Sequence, residues 1–287
     1  MTTTANTTRP TWFITGASSG FGLSFARYAL GQGYNVVATA RQPARLAALA
    51  ESAPEQVLVL PLDVTAAGDA ERATAAALAH FGRIDVLVNN AGYGIVGAVE
   101  ETPDAELRAQ METNFFGAVA VTRAVLPAMR QQRSGAIVNL SSMGGQMSFG
   151  GFGAYSASKF ALEGLSEALA QEVAPFGIKV LIVEPGAFRT GFAGADVLRQ
   201  MPVLAAYDEI VGGTRSFAKG MDGTQAGDPD KAAAAIDAAL RAEVTPLRLQ
   251  LGGDSIDAVR GHAEQLLKDL AAWEAVSRAT AMEAEGR

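Results

Sequence analysis

A tyrosine and a lysine four residues apart, Tyr155 and Lys159, form the pattern that most directly suggests chemistry. Residues at positions i and i+4 share one face of a helix, so the phenol and the ammonium would be neighbours. Free tyrosine has a pKa of about 10, and a nearby cation that lowered this pKa to near neutrality would have to supply roughly 4 kcal/mol. The pair is therefore typical of a group that exchanges protons with a carbonyl or alcohol oxygen, although the same spacing also arises by chance on many helices.

Two further polar residues strengthen this interpretation. Ser142 comes just after an apolar run and before Tyr155, where it could bond a substrate oxygen. Asn114 is a poor helix former in the middle of a long predicted helix, and we expect it to hold a water that relays protons to Lys159. Alternatives stay open for both residues. Ser142 could be only a turn residue at the end of a strand, and Ser141 could bond the substrate oxygen instead. Asn114 could mark a helix kink or a buried hydrogen bond.

A glycine-rich segment follows the first predicted strand and opens a helix. Glycines at such a turn let the backbone approach a pyrophosphate, which then lies at the positive end of the helix. The spacing Gly-x-x-x-Gly-x-Gly therefore predicts a dinucleotide site. Its candidate contacts are Gly16, Ser18, Ser19, Gly20, Phe21 and Gly22.

The same segment also matches the Gly-x-Ser-x-Gly nucleophile elbow of the α/β-hydrolases. That elbow follows several earlier strands, whereas only 15 residues precede Gly16. His262 could serve as a partner in chain order, but it lies in an Ala-rich, charged C-terminal segment. The hydrolase interpretation is therefore rejected.

The residue after the second predicted strand indicates which nucleotide would bind. An acidic residue there would bond the ribose of NAD, but this chain has Arg41, which can form bidentate bonds to the 2′-phosphate of NADP. NADP(H) is therefore the predicted cofactor, with a solvated surface charge as the alternative for Arg41. After the third strand, Asp63 and its neighbour Val64 are candidate adenine contacts, with helix capping as the alternative for Asp63.

The secondary-structure elements that position these residues can be predicted from the hydropathy pattern. Short apolar runs alternate with longer amphipathic segments along the chain. Runs that are apolar on both faces are typical of parallel strands buried between helices, which predicts an α/β, doubly wound sheet. The predicted strands cover 12–15, 35–40, 57–61, 84–89, 136–141, 179–184 and 247–251. The predicted helices cover 21–32, 43–52, 67–80, 103–132, 154–175, 229–242 and about 254–282.

The predicted domain organisation is one domain over 11–287 after a flexible lead-in at 1–10. Within that domain, the glycine-rich stretch 186–228 is predicted to be a substrate lid with a short helix or two around 196–216, because long connections in compact domains usually carry function. Residues 254–287 are predicted to form a helical C-terminal extension, to which no role is assigned.

Composition excludes several classes of function. A net charge of −7 argues against nucleic-acid binding, which needs a basic face. The absence of cysteine excludes thiol chemistry, and two isolated histidines predict no metal site. No apolar run approaches the roughly 20 residues of a membrane helix, and the lead-in lacks the apolar core of a signal peptide. We therefore expect a cytoplasmic enzyme without a membrane or nucleic-acid partner.

The glycine loop, the run at 89–92, Asn114, Ser142, Tyr155 and Lys159 together resemble the motif set of the short-chain dehydrogenase/reductase family, over roughly residues 10–250. The resemblance implies a Rossmann-type, seven-stranded parallel sheet of order 3-2-1-4-5-6-7. It also implies that Asn90, Ala91 and Gly92 contact the adenosine ribose. The nicotinamide contacts that it implies are Pro185, Gly186, Phe188 and Thr190.

The resemblance extends to cofactor preference and assembly. The Ala40-Arg41 pair resembles NADP-preferring members, and the segments 139–142 and 158–164 look like the hydroxysteroid and retinol dehydrogenase-like branch. Predicted helices 103–132 and 154–175 carry apolar residues on more than one face, and the resemblance implies that they pair copies into a homodimer or homotetramer.

The function that these observations predict is NADPH-dependent interconversion of a ketone and a secondary alcohol. Tyr155 would protonate the oxygen, while Ser142 orients it. The main alternative is a catalytically silent NADP-binding sensor or scaffold, and an epimerase or dehydratase is a weaker one. A bulky, apolar carbonyl or alcohol substrate would fit the predicted pocket. The residues predicted to line that pocket are Tyr93, Met143, Met147, Phe149, Phe152 and Phe192. Each of these residues could instead pack against the lid without contacting a substrate.

Overall fold

The computed structural model describes residues 9–194 and 197–282, so part of the predicted lead-in, two lid residues and the last five residues lie outside the described residues. Parallel strands form its centre. They are β1 (Thr11–Ile14), β2 (Asn35–Ala40), β3 (Val57–Pro61), β4 (Val86–Asn89), β5 (Gly94–Val96), β6 (Gly135–Leu140), β7 (Ile178–Pro185), β8 (Leu198–Gln200) and β9 (Arg248–Leu251).

The main sheet has the order β3-β2-β1-β4-β6-β7-β9, and β5 pairs with β8 in a separate two-stranded sheet. When β5 and β8 are set aside, the seven main strands lie in the predicted order 3-2-1-4-5-6-7, so the predicted fold class is confirmed. The two additional strands were not predicted, because three residues are too few to show a periodicity.

Alternation along β1 explains why the sheet is buried on both faces. Trp12 and Ile14 enter one hydrophobic core, whereas Phe13, between them, enters the other. β1 pairs with β2 on one side and β4 on the other, so the chain winds outward in both directions from this point. Parallel sheets open a crevice at such a switch point, at the carboxyl ends of the strands, and this is where ligands bind.

Helices cover both faces of the sheet. They are α1 (Gly20–Gly31), α2 (Ala47–Ser52), α3 (Asp69–Phe81), α4 (Asp104–Met111), α5 (Gly117–Gln132), α6 (Gly153–Val173), α7 (Asp208–Gly220), α8 (Pro229–Arg241) and α9 (Gly253–Arg278). The single helix predicted over 103–132 is instead α4 and α5, joined by a π-helical turn at Glu112–Phe116. None of the described helices is both long and apolar enough to span a membrane.

The predicted lid has more regular structure than expected, since it contains β8 and α7. Helix α7 begins at Asp208, later than the 196 predicted from sequence. Arg215 of α7 holds it to the domain: its Nη2 donates to Glu101 Oε2 at 2.6 Å and its Nη1 donates to the Met201 carbonyl at 2.9 Å. Both side chains of this ion pair are buried, so α7 is fixed to the segment between β5 and α4.

Candidate active site

A cavity of about 1180 Å³ opens at the carboxyl ends of the sheet strands. Its walls come from the glycine loop before α1, the segments after β2, β3, β4, β6 and β7, and the lid. Most of the predicted site residues meet at this cavity although they lie far apart in sequence. They are Gly16, Ser18, Ser19, Gly20, Phe21, Arg41, Asp63, Val64, Asn90, Ala91, Gly92, Tyr93, Ser142, Met143, Phe149, Phe152, Tyr155, Lys159, Pro185, Gly186, Phe188, Thr190 and Phe192.

The glycine loop has the backbone shape of a phosphate cradle. Gly16 and Gly20 have φ angles of +64° and +51°, a region that favours glycine. A Cβ at Gly22 would lie 2.4 Å from the Gly16 carbonyl oxygen, so only glycine permits this close turn. Gly22 itself packs beneath the loop and does not line the cavity, contrary to its predicted place among the contacts. Because α1 starts at Gly20, its N-terminus points to the place where a pyrophosphate would lie, and the loop fits a dinucleotide.

The run after β4 holds the glycine loop in place. The Asn90 side-chain amide donates to the carbonyls of Thr15 and Gly16 at 2.9 and 3.1 Å. The Thr15 hydroxyl accepts bonds from the backbone N–H groups of Asn90 and Ala91 at 2.9 and 3.0 Å. The Asn90 side chain is thus engaged with protein, and it positions the loop in addition to lining the cavity.

Two arginines, not one, border the end of the cavity beyond β2. Arg41 and Arg45 are both exposed and both line the cavity. Sequence reasoning missed Arg45, although it lies only four residues after Arg41.

Nearby, Asp63 Oδ1 accepts bonds from the Thr65 N–H and hydroxyl at 3.0 and 2.7 Å, which makes Asp63 a turn residue rather than the N-cap of α3. Those bonds and the positive charge of Arg41 lower the pKa of Asp63.

Tyr155 and Ser142 lie together at the other end of the cavity. A Cβ at Gly144 would be 3.4 Å from Ser142 Oγ and 3.5 Å from Tyr155 Cε1, so both side chains flank the same glycine. Ser142 Oγ also accepts the Gly144 N–H at 3.0 Å, which fixes its position after β6. Ser141 also lines the cavity, but its Oγ lies beside Gly145 and Glu163 rather than beside Gly144. The structure therefore favours Ser142 over Ser141 as the partner of Tyr155.

Lys159 is placed one turn after Tyr155 on α6, but its ammonium bonds elsewhere. Lys159 Nζ donates to the Leu140 carbonyl at 2.6 Å and lies 5.7 Å from the centroid of the Tyr155 ring. Burial lowers the pKa of Lys159 to about 8, and the nearby Glu163 partly opposes this. Burial also raises the pKa of Tyr155 to about 12, with the Ser142 hydroxyl acting in the opposite direction. The expectation that Lys159 brings the pKa of Tyr155 towards neutrality is therefore wrong, because desolvation of the phenol dominates.

Asn114 is not among the cavity-lining residues, and its side chain is fully engaged. Its Nδ2 donates to the Tyr93 carbonyl at 2.9 Å and to Ser158 Oγ at 3.0 Å, and its Oδ1 accepts the Tyr93 N–H at 3.1 Å. Of the alternatives left open at this position, the buried hydrogen bond is present, and Asn114 also lies inside the π-helical turn. Such turns are frequent at functional sites, and this one brings the side chain between the strand β4 loop and α6.

Most of the predicted substrate-pocket residues line the cavity, but Met147 does not. The ring of Tyr155 lies 5.6 Å from the ring of Phe192 and 6.3 Å from that of Phe152, measured between centroids. Further lining residues come from the lid and α9, and no sequence motif marked them. They include Val197, Arg199, Phe217, Met221, Gln225 and Asp254.

A family model described as short chain dehydrogenase matches residues 10–200 of this chain. The chain belongs to the short-chain dehydrogenase family. It is an oxidoreductase of that family, as its sequence motifs implied.

Individual relatives agree with this assignment. A solved short-chain dehydrogenase from Streptomyces avermitilis is 51% identical, covers 96% of this chain and 100% of its own, and superposes with a TM-score of 0.91. A 3-ketodihydrosphingosine reductase from Bacteroides thetaiotaomicron is 50% identical over 179 residues, which is 62% of this chain and 64% of the relative. A short-chain dehydrogenase from Burkholderia cenocepacia, solved in complex with NADP, is 26% identical, covers 92% of this chain and 96% of its own, and has a TM-score of 0.72.

This short-chain dehydrogenase also has a buried carboxylate pair behind Lys159 that sequence reasoning missed. Glu163 and Glu184 are both buried, and Arg248 Nε lies 3.0 Å from an oxygen of the first and 3.3 Å from an oxygen of the second. Gln146 Nε2 donates to both at 3.1 and 3.2 Å. Burial raises the pKa of Glu184 to about 7. The spacing of Glu163, four residues after Lys159 on one helix face, was the signal that could have revealed this network.

Proposed function

We propose that this chain is an NADPH-dependent reductase that interconverts a ketone and a secondary alcohol, with Tyr155 as the general acid. The observation that carries the proposal is the layout of one cavity. A glycine loop and two arginines border one end, and Tyr155, Ser142 and Lys159 meet at the other. A dinucleotide bound along the cavity would have its pyrophosphate at the loop and its reactive ring near the phenol.

The chain supplies groups that would hold such a cofactor at several points. Gly16 and Gly20 would receive the pyrophosphate, Arg41 and Arg45 the 2′-phosphate, and Asp63 the adenine. NADPH bound there would supply the hydride that the reduction needs. NADP in a solved relative, 26% identical to this chain, supports the choice of cofactor, and the two arginines favour the phosphorylated form over NAD.

The protein's own part in the reaction is to bind the carbonyl and deliver a proton. Ser142 would donate a hydrogen bond to the carbonyl oxygen and orient it, and Tyr155 would transfer its hydroxyl proton as negative charge develops there. A pKa of about 12 keeps Tyr155 protonated at neutral pH, which suits reduction. Lys159, when charged, would stabilise the phenolate that results.

Asn114 would act as a positioning residue in this mechanism. Its side chain fixes the Tyr93 backbone beside the cavity and holds Ser158, whose hydroxyl also donates to the Tyr155 carbonyl at 2.7 Å. A water held at Asn114 would also relay protons to Lys159, as expected from the sequence. Because both amide hydrogens of Asn114 are already donated to protein, such a water would have to bond an oxygen.

The proposed substrate is a bulky, apolar carbonyl compound. The cavity walls carry the rings of Phe149, Phe152 and Phe192, of which the last two lie against Tyr155, and Met143 and Met221 add flexible apolar surface. Such walls accept an aliphatic or ring-shaped ketone while excluding water from the proton transfer. The relative from Bacteroides thetaiotaomicron, a 3-ketodihydrosphingosine reductase, acts on a keto compound of this chemical kind.

The test is oxidation of NADPH in the presence of a panel of ketones, followed at 340 nm. We expect turnover with bulky aliphatic or cyclic ketones and weak turnover with acetone. Tight NADPH binding without turnover of any ketone, aldehyde or imine would instead favour the sensor or scaffold alternative. Release of an epimer or dehydrated product without net NADPH consumption would indicate the epimerase or dehydratase class.

We expect Lys159→Ala to lower kcat/KM at least about 100-fold and to weaken NADPH binding, because one ammonium would serve both proton transfer and the cofactor ribose. The pH profile gives a sharper readout. The pKa of Lys159 is about 8, so kcat/KM of the unmodified enzyme should fall as pH rises through about 8 and Lys159 loses its charge. This alkaline limb should be absent from Lys159→Ala.

Lys179→Ala is the matched control for that measurement. Lys179 Nζ also donates to a backbone carbonyl, that of Leu240 at 2.6 Å, but it lies outside the cavity. We expect it to retain both the rate and the alkaline limb. Equal losses in the two variants would show that removal of either lysine damages the fold, and would count against a catalytic role for Lys159.

We further propose that the chain self-associates through α4, α5 and α6. Leu107 and Phe116 border a surface hollow of about 280 Å³, and Phe116 and Phe160 are about half exposed. Light scattering at micromolar concentration should give a multiple of the 29.7 kDa chain mass, and Phe116→Ser should lower that mass. Phe149→Ser, which removes an equally exposed ring between β6 and α6 at the cavity, should leave the mass unchanged. A monomeric mass for the unmodified protein would contradict the proposal.

A further inference from the structure

Helix α9 leaves the domain almost as soon as it begins. Its first turn is fixed, because Ser255 Oγ donates to the Glu184 carbonyl at 2.8 Å and Asp254 Oδ2 accepts the Ala187 N–H at 2.7 Å. From Arg260 to Arg278 every residue is exposed. At 1.5 Å per residue this part extends roughly 28 Å without packing against the described part of the chain.

The exposed part of α9 is nevertheless not polar all round. Apolar residues recur at alternating intervals of three and four, which is the a/d pattern of a coiled coil. We call them the α9 stripe: Ile256, Val259, Ala263, Leu266, Leu270 and Trp273. Leu266, Leu270 and Trp273 are each 60–64% exposed, and Leu267 and Val276, which flank the stripe, are exposed to the same extent. An exposed stripe of this width is typical of an interface.

We propose that α9 pairs with α9 of a second copy of this chain in an antiparallel coiled coil. In the register that centres the exposed segments on each other, Leu266 of each copy meets Leu270 of the other, and Ala263 meets Trp273. Position e of one helix then faces position e of the other. This places Arg260 against Glu274 on both sides of the two-fold axis, with Leu267 against its own copy at the centre.

The charge pattern favours this orientation over the parallel one. A parallel pair would bring Asp269 at position g next to Glu274 at position e of the partner, twice, and like charges there are unfavourable. The antiparallel pair replaces these two repulsions by two Arg260–Glu274 attractions and one contact between the Asp269 side chains. It therefore gives the better electrostatic match for an identical partner.

A membrane surface is a poorer match for the same helix. Between residues 253 and 278 there are five acidic and three basic side chains, so the polar face of α9 is net negative. Helices that lie on anionic membranes carry lysine and arginine on that face. A pair of fewer than three heptads is weak by itself. Where two α9 pairs join the same two dimers, each pair strengthens the other through effective concentration.

The first test changes the stripe and measures mass. Leu266→Glu/Leu270→Glu should halve the mass found by sedimentation equilibrium at 10 µM, while NADPH binding and ketone turnover stay unchanged because neither residue lines the cavity. Glu264→Leu/Lys268→Leu, on the far side of the helix, is the control and should keep the full mass. Equal masses for the unmodified and stripe-modified proteins would overturn the proposal. So would stripe-dependent binding to phosphatidylserine vesicles without halving of the mass.

The second test uses the absence of cysteine in the chain to determine orientation. In the antiparallel pair Leu267 faces its own copy, so Leu267→Cys should form an interchain disulfide under mild oxidation and run as a covalent dimer. Leu270→Cys should not, since Leu270 faces Leu266 there. The opposite result, crosslinking through Leu270→Cys alone, would show a parallel pair and overturn the stated geometry. Arg260→Glu should weaken association, and Arg260→Glu/Glu274→Arg should restore it.

Discussion

Tyr155→Phe should lower kcat for ketone reduction by about 10²- to 10⁴-fold while leaving the dissociation constant for NADPH within about threefold of the unmodified enzyme. The change removes one hydroxyl and keeps the ring, which packs between Phe152 and Phe192. General acid catalysis by a positioned side chain contributes a factor of this size. Because burial raises the pKa of Tyr155 to about 12, the phenol is protonated across the working pH range, and the reduction loses its proton donor only when the hydroxyl is removed.

The control for this variant is Tyr93→Phe. Tyr93 lines the same cavity and its buried hydroxyl has no partner among the described residues, so its removal changes the cavity polarity without touching Ser142 or Lys159. We expect kcat to change by less than about tenfold. Stopped-flow measurement of NADPH oxidation and fluorescence titration of NADPH would give both constants. Near-normal kcat in Tyr155→Phe would eliminate Tyr155 as the general acid.

Arg41→Asp should shift the ratio of kcat/KM for NADPH over NADH towards NADH by a factor of ten to several hundred. A charge-assisted bond contributes about 1.5–3 kcal/mol, and an aspartate at this position would also repel the 2′-phosphate. Arg41 is exposed at the cavity edge. Its substitution should therefore act on the nucleotide and not on folding.

Arg45 makes this experiment more informative than it would be with Arg41 alone. If both guanidinium groups contact the phosphate, Arg45→Asp should shift the ratio in the same direction by a smaller factor, and the double variant should shift it furthest. Arg27→Asp, an exposed arginine on α1 that does not line the cavity, should leave the ratio unchanged. A preference of the unmodified enzyme for NADH, or an unchanged ratio in Arg41→Asp, would contradict the prediction of NADP as cofactor.

The fold was predictable because its signals are local. Parallel strands buried on both faces need runs such as Val36–Ala38, and the amphipathic segments between them indicate crossover helices. The lid and the interrupted helix at 104–132 were less predictable. Arg215 bonds Glu101, which lies more than a hundred positions earlier in the chain. A π-helical turn adds one residue to a helix and shifts its apolar pattern by only one position, which is a weak signal in a single sequence.

The sequence by itself determined the chemistry available at the site: a glycine loop for phosphate, an arginine after β2, and a Tyr-Lys pair with a serine upstream. These are matters of residue type and short-range spacing, which the backbone geometry of a strand, turn or helix converts directly into proximity. Only the tertiary structure decided the environment of those groups. Burial of Tyr155 raises its pKa, Lys159 bonds the Leu140 carbonyl, and the Asn114 amide bonds Ser158. A pKa or a hydrogen bond depends on everything packed around the group, and most of that comes from distant parts of the chain.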